Sequence, residues 1–164
     1  MPQDKRNIYK IAREARGLTQ EAAAEKLGIS DSSIRAYETG QRVPPNDVVD
    51  LMVIAYDSQL LGIQHLRASA EMARSIVPDV RELRLTDAIM ELLDLLYNFV
   101  DRHRDRELMH IGKDGVIDET ERESFDSIVA DLGQIVEAAL AVKCARQGER
   151  GGKQNETEIE CPHR

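Results

Sequence analysis

Side chains able to do covalent or metal chemistry are few in this chain and poorly spaced for it. Cys144, Cys161 and His163 come nearest to a soft-metal set, with Cys161-Pro162-His163 placing two of them almost side by side. Zinc takes four ligands, usually in paired short spacings, so these three read as ordinary residues. The stretch Asp114 to Glu121 resembles the back half of a calcium loop, with Gly115 at the turn and Glu121 at the last ligand. Its first and third ligand positions then fall on His110 and Gly112, which bring no oxygen side chain, while calcium needs six to eight oxygens. It reads instead as a glycine turn followed by a helix cap. No Ser/His/Asp or Cys/His set and no phosphate-binding glycine loop appears. The expectation is a protein that is not an enzyme, with no cofactor and no metal. His103 and His110 read as surface or helix-end residues.

The spacing that does carry information runs from Gln20 to Tyr37. Two short helices meet at a tight turn only when certain positions are restricted. The first needs a small residue where the second crosses it, which is Ala24. The turn needs a residue tolerant of positive φ, which is Gly28, four residues later. The second needs inward apolar residues to lock the angle, which are Ile34 and Tyr37. Leu27 and Ile29 flank the glycine, and Thr19 and Ser30 are placed to cap the two helices. Each feature is weak alone; together they specify a helix-turn-helix.

The elements around it follow from caps and periodicity. Asp4 can cap a helix to about Arg16, with Ile8, Ile11, Ala12 and Ala15 on one face, ended by Gly17. Gln20–Leu27 and Asp31–Glu38 follow. Pro44 and Pro45 start a fourth helix with Val48, Leu51, Met52 and Ala55 inward. A fifth begins near Ser58 with Leu60, Leu61, Ile63 and Leu66. Only 4% of residues are aromatic, no segment alternates with period two, and no strand is expected. The class is all-α.

The run GLTQEAAAEKLGISDSSIRAYETGQRVP, residues 17–44, resembles the Cro/phage-repressor type of helix-turn-helix, the XRE family. The resemblance covers roughly residues 6–66. It implies a five-helix repressor-like domain that binds operator DNA, usually as a dimer, and regulates transcription. It implies that the helix from Asp31 is the recognition helix, its N-terminal part entering the major groove. Positions facing base edges then correspond to Asp31, Ser32 and Ala36. Ser32 carries little base information, and Ala36 suits a thymine methyl. Asp31 either accepts from cytosine N4 or stabilises its helix N-terminus. Arg35 is a candidate for phosphate or guanine, phosphate being favoured. Gln20 matches the family's phosphate-gripping glutamine, helped by the backbone N–H at the helix start. Thr19, Ser30, Ser33, Gln41 and Arg42 are further DNA-binding candidates. Arg13 and Glu38 match a family ion pair that ties the recognition helix to the first helix. The roles of Arg13, Ala24, Gly28, Ile34, Tyr37 and Glu38 are structural.

Residues 67–146 carry longer helical patterns. Thr86 opens an amphipathic helix with Ile89, Leu92, Leu93, Leu96, Phe99 and Val100 at helical spacing and His103 continuing that face, fading near Arg106. A second helix starts at Asp118, which with Glu121 makes a capping box. Its apolar face is Phe125, Ile128, Val129, Leu132, Ile135, Val136, Ala139 and Val142. The two should form an antiparallel hairpin. Arg67 to Arg84 links it to the first domain, partly by extending the fifth helix as far as Pro78. Each stripe is wider than one partner helix covers, so Leu92, Leu96, Phe99, Phe125, Leu132 and Val136 are expected to build a homodimer by pairing two hairpins. A ligand pocket between the helices is the rival. The organisation loosely resembles short repressor-like regulators of prophages and mobile elements. Residues 147–164 are glycine-rich, charged and almost without apolar side chains, and read as a disordered tail.

The chain has a formal net charge of −8, which argues against DNA binding by bulk positive charge. The charge is unevenly spread: residues 1–66 carry −1, residues 67–146 carry −6 and the tail −1. A nearly neutral reader with few cations needs two half-sites, and the acid sits apart from the proposed DNA face. The double-stranded DNA operator and a second copy are the expected partners, with a protein partner on the acidic region possible. The alternative is an interaction module such as an antitoxin or antirepressor. No run approaches the ~20 apolar residues that span a bilayer. MPQDKRNIYK does not read as a signal peptide, two free thiols suit a reducing compartment, and a cytoplasmic placement is expected.

Overall fold

The computed structural model describes residues 7–145, so the expected Asp4 cap, the tail and the Cys161/His163 pair lie outside the described residues. Helix α1 is Ile8–Ala15, capped by Asn7, whose side chain accepts from the Tyr9 N–H. The Asn7 amide also donates to the Tyr37 carbonyl at 2.7 Å, so the start of α1 is tied to a later helix. Helix α2 is Gln20–Leu27, with Thr19 accepting from the Ala22 N–H. It ends at Gly28, which sits at φ +66, a left-handed conformation that penalises any residue with a Cβ. Helix α3 is Asp31–Glu38, capped by Ser30. Helix α4 is Asn46–Tyr56, entered from Pro45, and α5 is Gln59–Ser69, capped by Ser58. Buried Tyr9, Ala12, Ala23, Ala24, Leu27, Ile34, Tyr37, Val49, Met52, Tyr56 and Leu61 make the core that these five helices share.

Past Ser69 the chain departs from the sequence expectation. The fifth helix does not run on to Pro78. Ala70 is extended, at φ −150 and ψ 149, and a separate short helix α6, Glu71–Ile76, follows. The cause is Arg67, whose Nη1 donates to the carbonyls of Arg74 and Val77 and holds the end of α6 back against α5. A side chain satisfying orphan carbonyls favours a fold-back over continuation.

The hairpin holds three helices, not two. Helix α7 is Leu85–Asp101, α8 is Arg104–Ile111 and α9 is Arg122–Cys144. His103 does not continue the face of α7; it sits at φ +57 between α7 and α8 and turns the chain there. No residue from Asp101 to Glu107 is apolar, and Ile111 at the end of α8 is buried, so α8 turns back to bury that end. Arg104 pins that turn through Glu107 on α8 at 2.9 Å and Ser127 on α9 at 2.9 Å. The Asp118–Glu121 cap precedes α9, the Glu121 N–H reaching Asp118 Oδ1 at 2.9 Å.

Helices α7 and α9 pack antiparallel. Ala88 near the start of α7 shares a buried cluster with Ala141 near the end of α9, and that cluster includes Leu60 of α5 and Val80. The base of the hairpin is therefore fixed to the five-helix unit by apolar packing. Ile128 on α9 is fully buried.

Candidate nucleic-acid interface

The inward side of α3 fixes where its outward side points. Ile34 and Tyr37 are buried against the five-helix core. Glu38 and Arg13 form a two-point ion pair, Nε to Oε1 at 2.5 Å and Nη2 to Oε2 at 2.9 Å. Arg13 Nη1 also donates to the Leu18 carbonyl at 2.5 Å. The Arg13 guanidinium is held charged mainly by the Glu38 hydrogen bonds, which outweigh its burial. Burial pushes the Glu38 carboxyl up, but the hydrogen bonds from Arg13 and Gln20 with the Arg13 charge overcome it and leave it below its ordinary value. Both groups are thus ionised, and α3 is tied to α1 and to the turn before α2.

The outward side of α3 presents Asp31, Ser32 and Arg35, all exposed, with Ser33 and Ala36 half-buried at its edges. Ser30 Oγ lies 2.9 Å from Ser32 Oγ and 3.0 Å from Ser33 Oγ, so three hydroxyls cluster at the helix start. Hydroxyls donate and accept, which suits phosphate oxygens and several base edges alike. Arg35 has no carboxylate partner at ion-pair distance among the described residues.

Two residues assigned to phosphate in the sequence are placed less freely than expected. The Gln20 amide turns inward and donates to Glu38 Oε2 at 2.8 Å, which leaves one N–H of that amide for a ligand. The start of α2 is already occupied by an acid. Glu21 is exposed, and its own backbone N–H and the Thr19 hydroxyl hold its carboxyl below the ordinary value. Any anion at that helix start would have to displace this carboxylate. Gln41 is exposed on the loop after α3, beside Arg42, whose side chain reaches Ser33 and Tyr37.

Sequence reasoning missed His65. It is buried on α5, takes the Tyr9 hydroxyl on Nδ1 at 2.9 Å and meets Asn46 Oδ1 with Nε2 at 3.0 Å. An amide oxygen only accepts, so Nε2 donates; burial favours the neutral ring, in which Nδ1 then accepts the Tyr9 hydroxyl, and the imidazole links α1, α4 and α5. Burial lowers its pKa more than the Asp50 charge raises it. A single histidine among apolar helix residues carries no periodic signal that would have found it.

The Asp114–Glu121 segment uses its carboxylates internally. Asp118 Oδ1 accepts from the Thr120 N–H, the Thr120 hydroxyl and the Glu121 N–H. Among the described residues no group of three or more His, Cys, Asp and Glu could hold a metal ion, and no helix is long and apolar enough to cross a membrane.

On the hairpin, Leu92, Phe99, Phe125 and Leu132 are half-buried, whereas Leu96 and Val136 are exposed. Ile89, Leu93, Leu96 and Val100 form an uncovered strip on α7, and Val129 and Val136 another on α9, between 39% and 54% exposed. At about 100° per residue, in an antiparallel pair, both strips turn to the same side of the hairpin.

Comparison with known proteins gives two findings. Residues 10–63 match the family described as Helix-turn-helix. The chain is similar to the HTH-type transcriptional regulator ImmR of Bacillus subtilis (strain 168), at 31% identity over 85 residues. That match covers 52% of this chain and 65% of the relative. No solved structure matches the chain.

Proposed function

We propose that the protein is a sequence-specific, DNA-binding transcriptional regulator, with residues 10–63, which match the family described as Helix-turn-helix, as its DNA-binding domain. The observation that carries this reading is the two-sidedness of α3. Its inner side is locked by Arg13, Ile34, Tyr37 and Glu38, and its outer side offers Asp31, Ser32 and Arg35 to solvent. A rigid helix with an unclaimed polar face at a fixed angle is what major-groove reading requires. The relative's name, a transcriptional regulator, supports the same reading.

We further propose that it acts as a homodimer on a two-fold operator. The apolar strips on α7 and α9 support a second hairpin as their cover, because a two-fold pair closes them into a four-helix bundle. The hairpin base is packed on α5 through Leu60, Val80, Ala88 and Ala141, so pairing hairpins also fixes the distance between the two α3 helices. The prophage or mobile-element setting is part of this proposal and rests on the resemblance alone.

Enrichment of bound duplexes from a random pool tests the function. The expected result is a two-fold sequence with one half-site spacing, bound with an affinity that falls steeply as salt rises. Arg35→Ala combined with Gln20→Ala should abolish that binding without unfolding the chain. A pool that yields no enriched duplex at low salt rejects the reading and leaves the interaction-module alternative.

A further inference from the structure

We propose that Tyr37 and Ser33 hold Arg42 as a preset phosphate clamp beside the recognition helix, which makes the buried Tyr37 a positioning residue for DNA binding. The inference rests on the reading of α3 as the DNA-facing helix. Arg42 lies outside α3, on the segment that leads to α4. Its backbone N–H donates to the Ala36 carbonyl at 3.2 Å, folding that segment back along the helix. Its Nη2 donates to the Tyr37 hydroxyl at 2.8 Å and to Ser33 Oγ at 3.3 Å. The guanidinium carbon stands 4.8 Å from the centre of the Tyr37 ring.

Ser33 and Tyr37 are one helical turn apart on one stripe of α3. A guanidinium bonded to both is laid along the helix toward its N-terminal half, the half that enters a groove. Tyr37 is only 3% exposed, so its ring is fixed by the core and fixes the arginine in turn. No carboxylate lies at ion-pair distance from Arg42 among the described residues, and the N–H groups on Nε and Nη1 keep no partner there. A planar cation with free donors, no counter-ion and a held orientation suits a phosphate oxygen. A loop arginine loses much rotamer freedom when it binds an anion, and here the fold has already removed part of it. This also bears on the low charge of the domain: with few cations, each must be well placed.

The test uses the duplex enriched by the full-length protein and a scrambled duplex of equal length, titrated over a range of salt. The variants are Tyr37→Phe, Ser33→Ala, Arg42→Ala, Arg42→Lys and the double variant Tyr37→Phe/Arg42→Ala. Arg42→Ala should weaken both duplexes by a similar factor and lower the salt slope by about one. Tyr37→Phe should weaken both by about three- to tenfold, as loss of one hydrogen bond would. It should add nothing in the Arg42→Ala background. Arg42→Lys should keep the salt slope and lose affinity, because an ammonium lacks the planar fork that bonds Tyr37 and Ser33 on one nitrogen and leaves others for phosphate. Where Tyr37→Phe lowers the melting midpoint, Ser33→Ala carries the same comparison. Wild-type affinity in Arg42→Ala overturns the clamp. A Tyr37→Phe loss that persists without Arg42 overturns the positioning role. A loss confined to the enriched duplex makes Arg42 a base reader and overturns the phosphate assignment. In all three cases the wild type still binds DNA, so the proposed function stands; failure to enrich any duplex removes both.

Discussion

Replacing Glu38 with alanine is the sharpest test of how α3 is held. The two partners' side chains are only 7% (Arg13) and 4% (Glu38) exposed. Glu38→Ala removes both carboxylate hydrogen bonds to Arg13 and the acceptor of the Gln20 amide. Gln20 is half-buried and can turn to water. Arg13 cannot: it keeps the Leu18 carbonyl and a Glu14 oxygen 3.8 Å away, and remains a buried charge without its partner. Taking one member from a buried pair destabilises by about 3–5 kcal/mol. For a chain of this size each kcal/mol moves the melting midpoint by roughly 2–4 °C, so the expected drop is about 6–20 °C. Ser32→Ala, on the exposed face, should stay within about 0.5 kcal/mol of wild type. Converting the pair to Arg13→Met/Glu38→Leu should recover much of the loss, since no charge is then stranded. The pH dependence has a definite sign. The folded carboxyl is held below its ordinary value of 4.5, so its stabilisation is present above that pH and is lost as pH falls through the folded value. Wild-type midpoints should therefore fall in acid more steeply than those of Glu38→Gln. Thermal melts followed by circular dichroism give every one of these numbers. Equal midpoints for Glu38→Ala and Ser32→Ala would refute the reasoning.

Other perturbations reach other parts of the molecule. Gly28→Ala should lower stability by about 1–2 kcal/mol in a denaturant titration. The added Cβ would meet nothing within 4 Å, so the whole cost is the strain of a side chain held at φ +66. His65 is neutral in the fold and its pKa is lowered from 6.5, so stability should decline as pH drops below that value and level off beneath the folded pKa; His65→Gln should flatten this part of the profile. Ile128→Ala, at a fully buried site, should destabilise the chain by about 2–5 kcal/mol in the same titration. Leu96→Asp with Val136→Asp, on the uncovered strips, should keep helical content and convert a dimer to a monomer in sedimentation equilibrium; an unchanged mass moves the proposed interface elsewhere.

How much of this was legible in advance depends on whether the cause is local. The limits of α2 and α3 follow from Thr19, Gly28 and Ser30, each acting on backbone groups within a few residues, and those limits fall where the sequence places them. The all-α class follows from composition and periodicity on the same short scale. Helix ends set by distant partners were not legible. The close of α5 at Ser69 depends on Arg67 reaching Arg74 and Val77 across a fold-back, and the break at His103 depends on Arg104 meeting Ser127 in another helix.

The functional face divides in the same way. Residue types and spacing were enough to mark the helix-turn-helix, and the family resemblance to name the polar residues on and around α3 that are proposed to meet DNA. Sequence could not say which of those side chains the fold has already engaged: Gln20 drawn to Glu38, Glu21 lying on the start of α2, Arg42 held by Tyr37 and Ser33. Spacing fixes the face on which a side chain lies, because helical geometry is the same in every chain. Which neighbour satisfies its donors and acceptors is decided only when separate segments are packed within hydrogen-bonding distance, and for this protein tertiary structure alone does that.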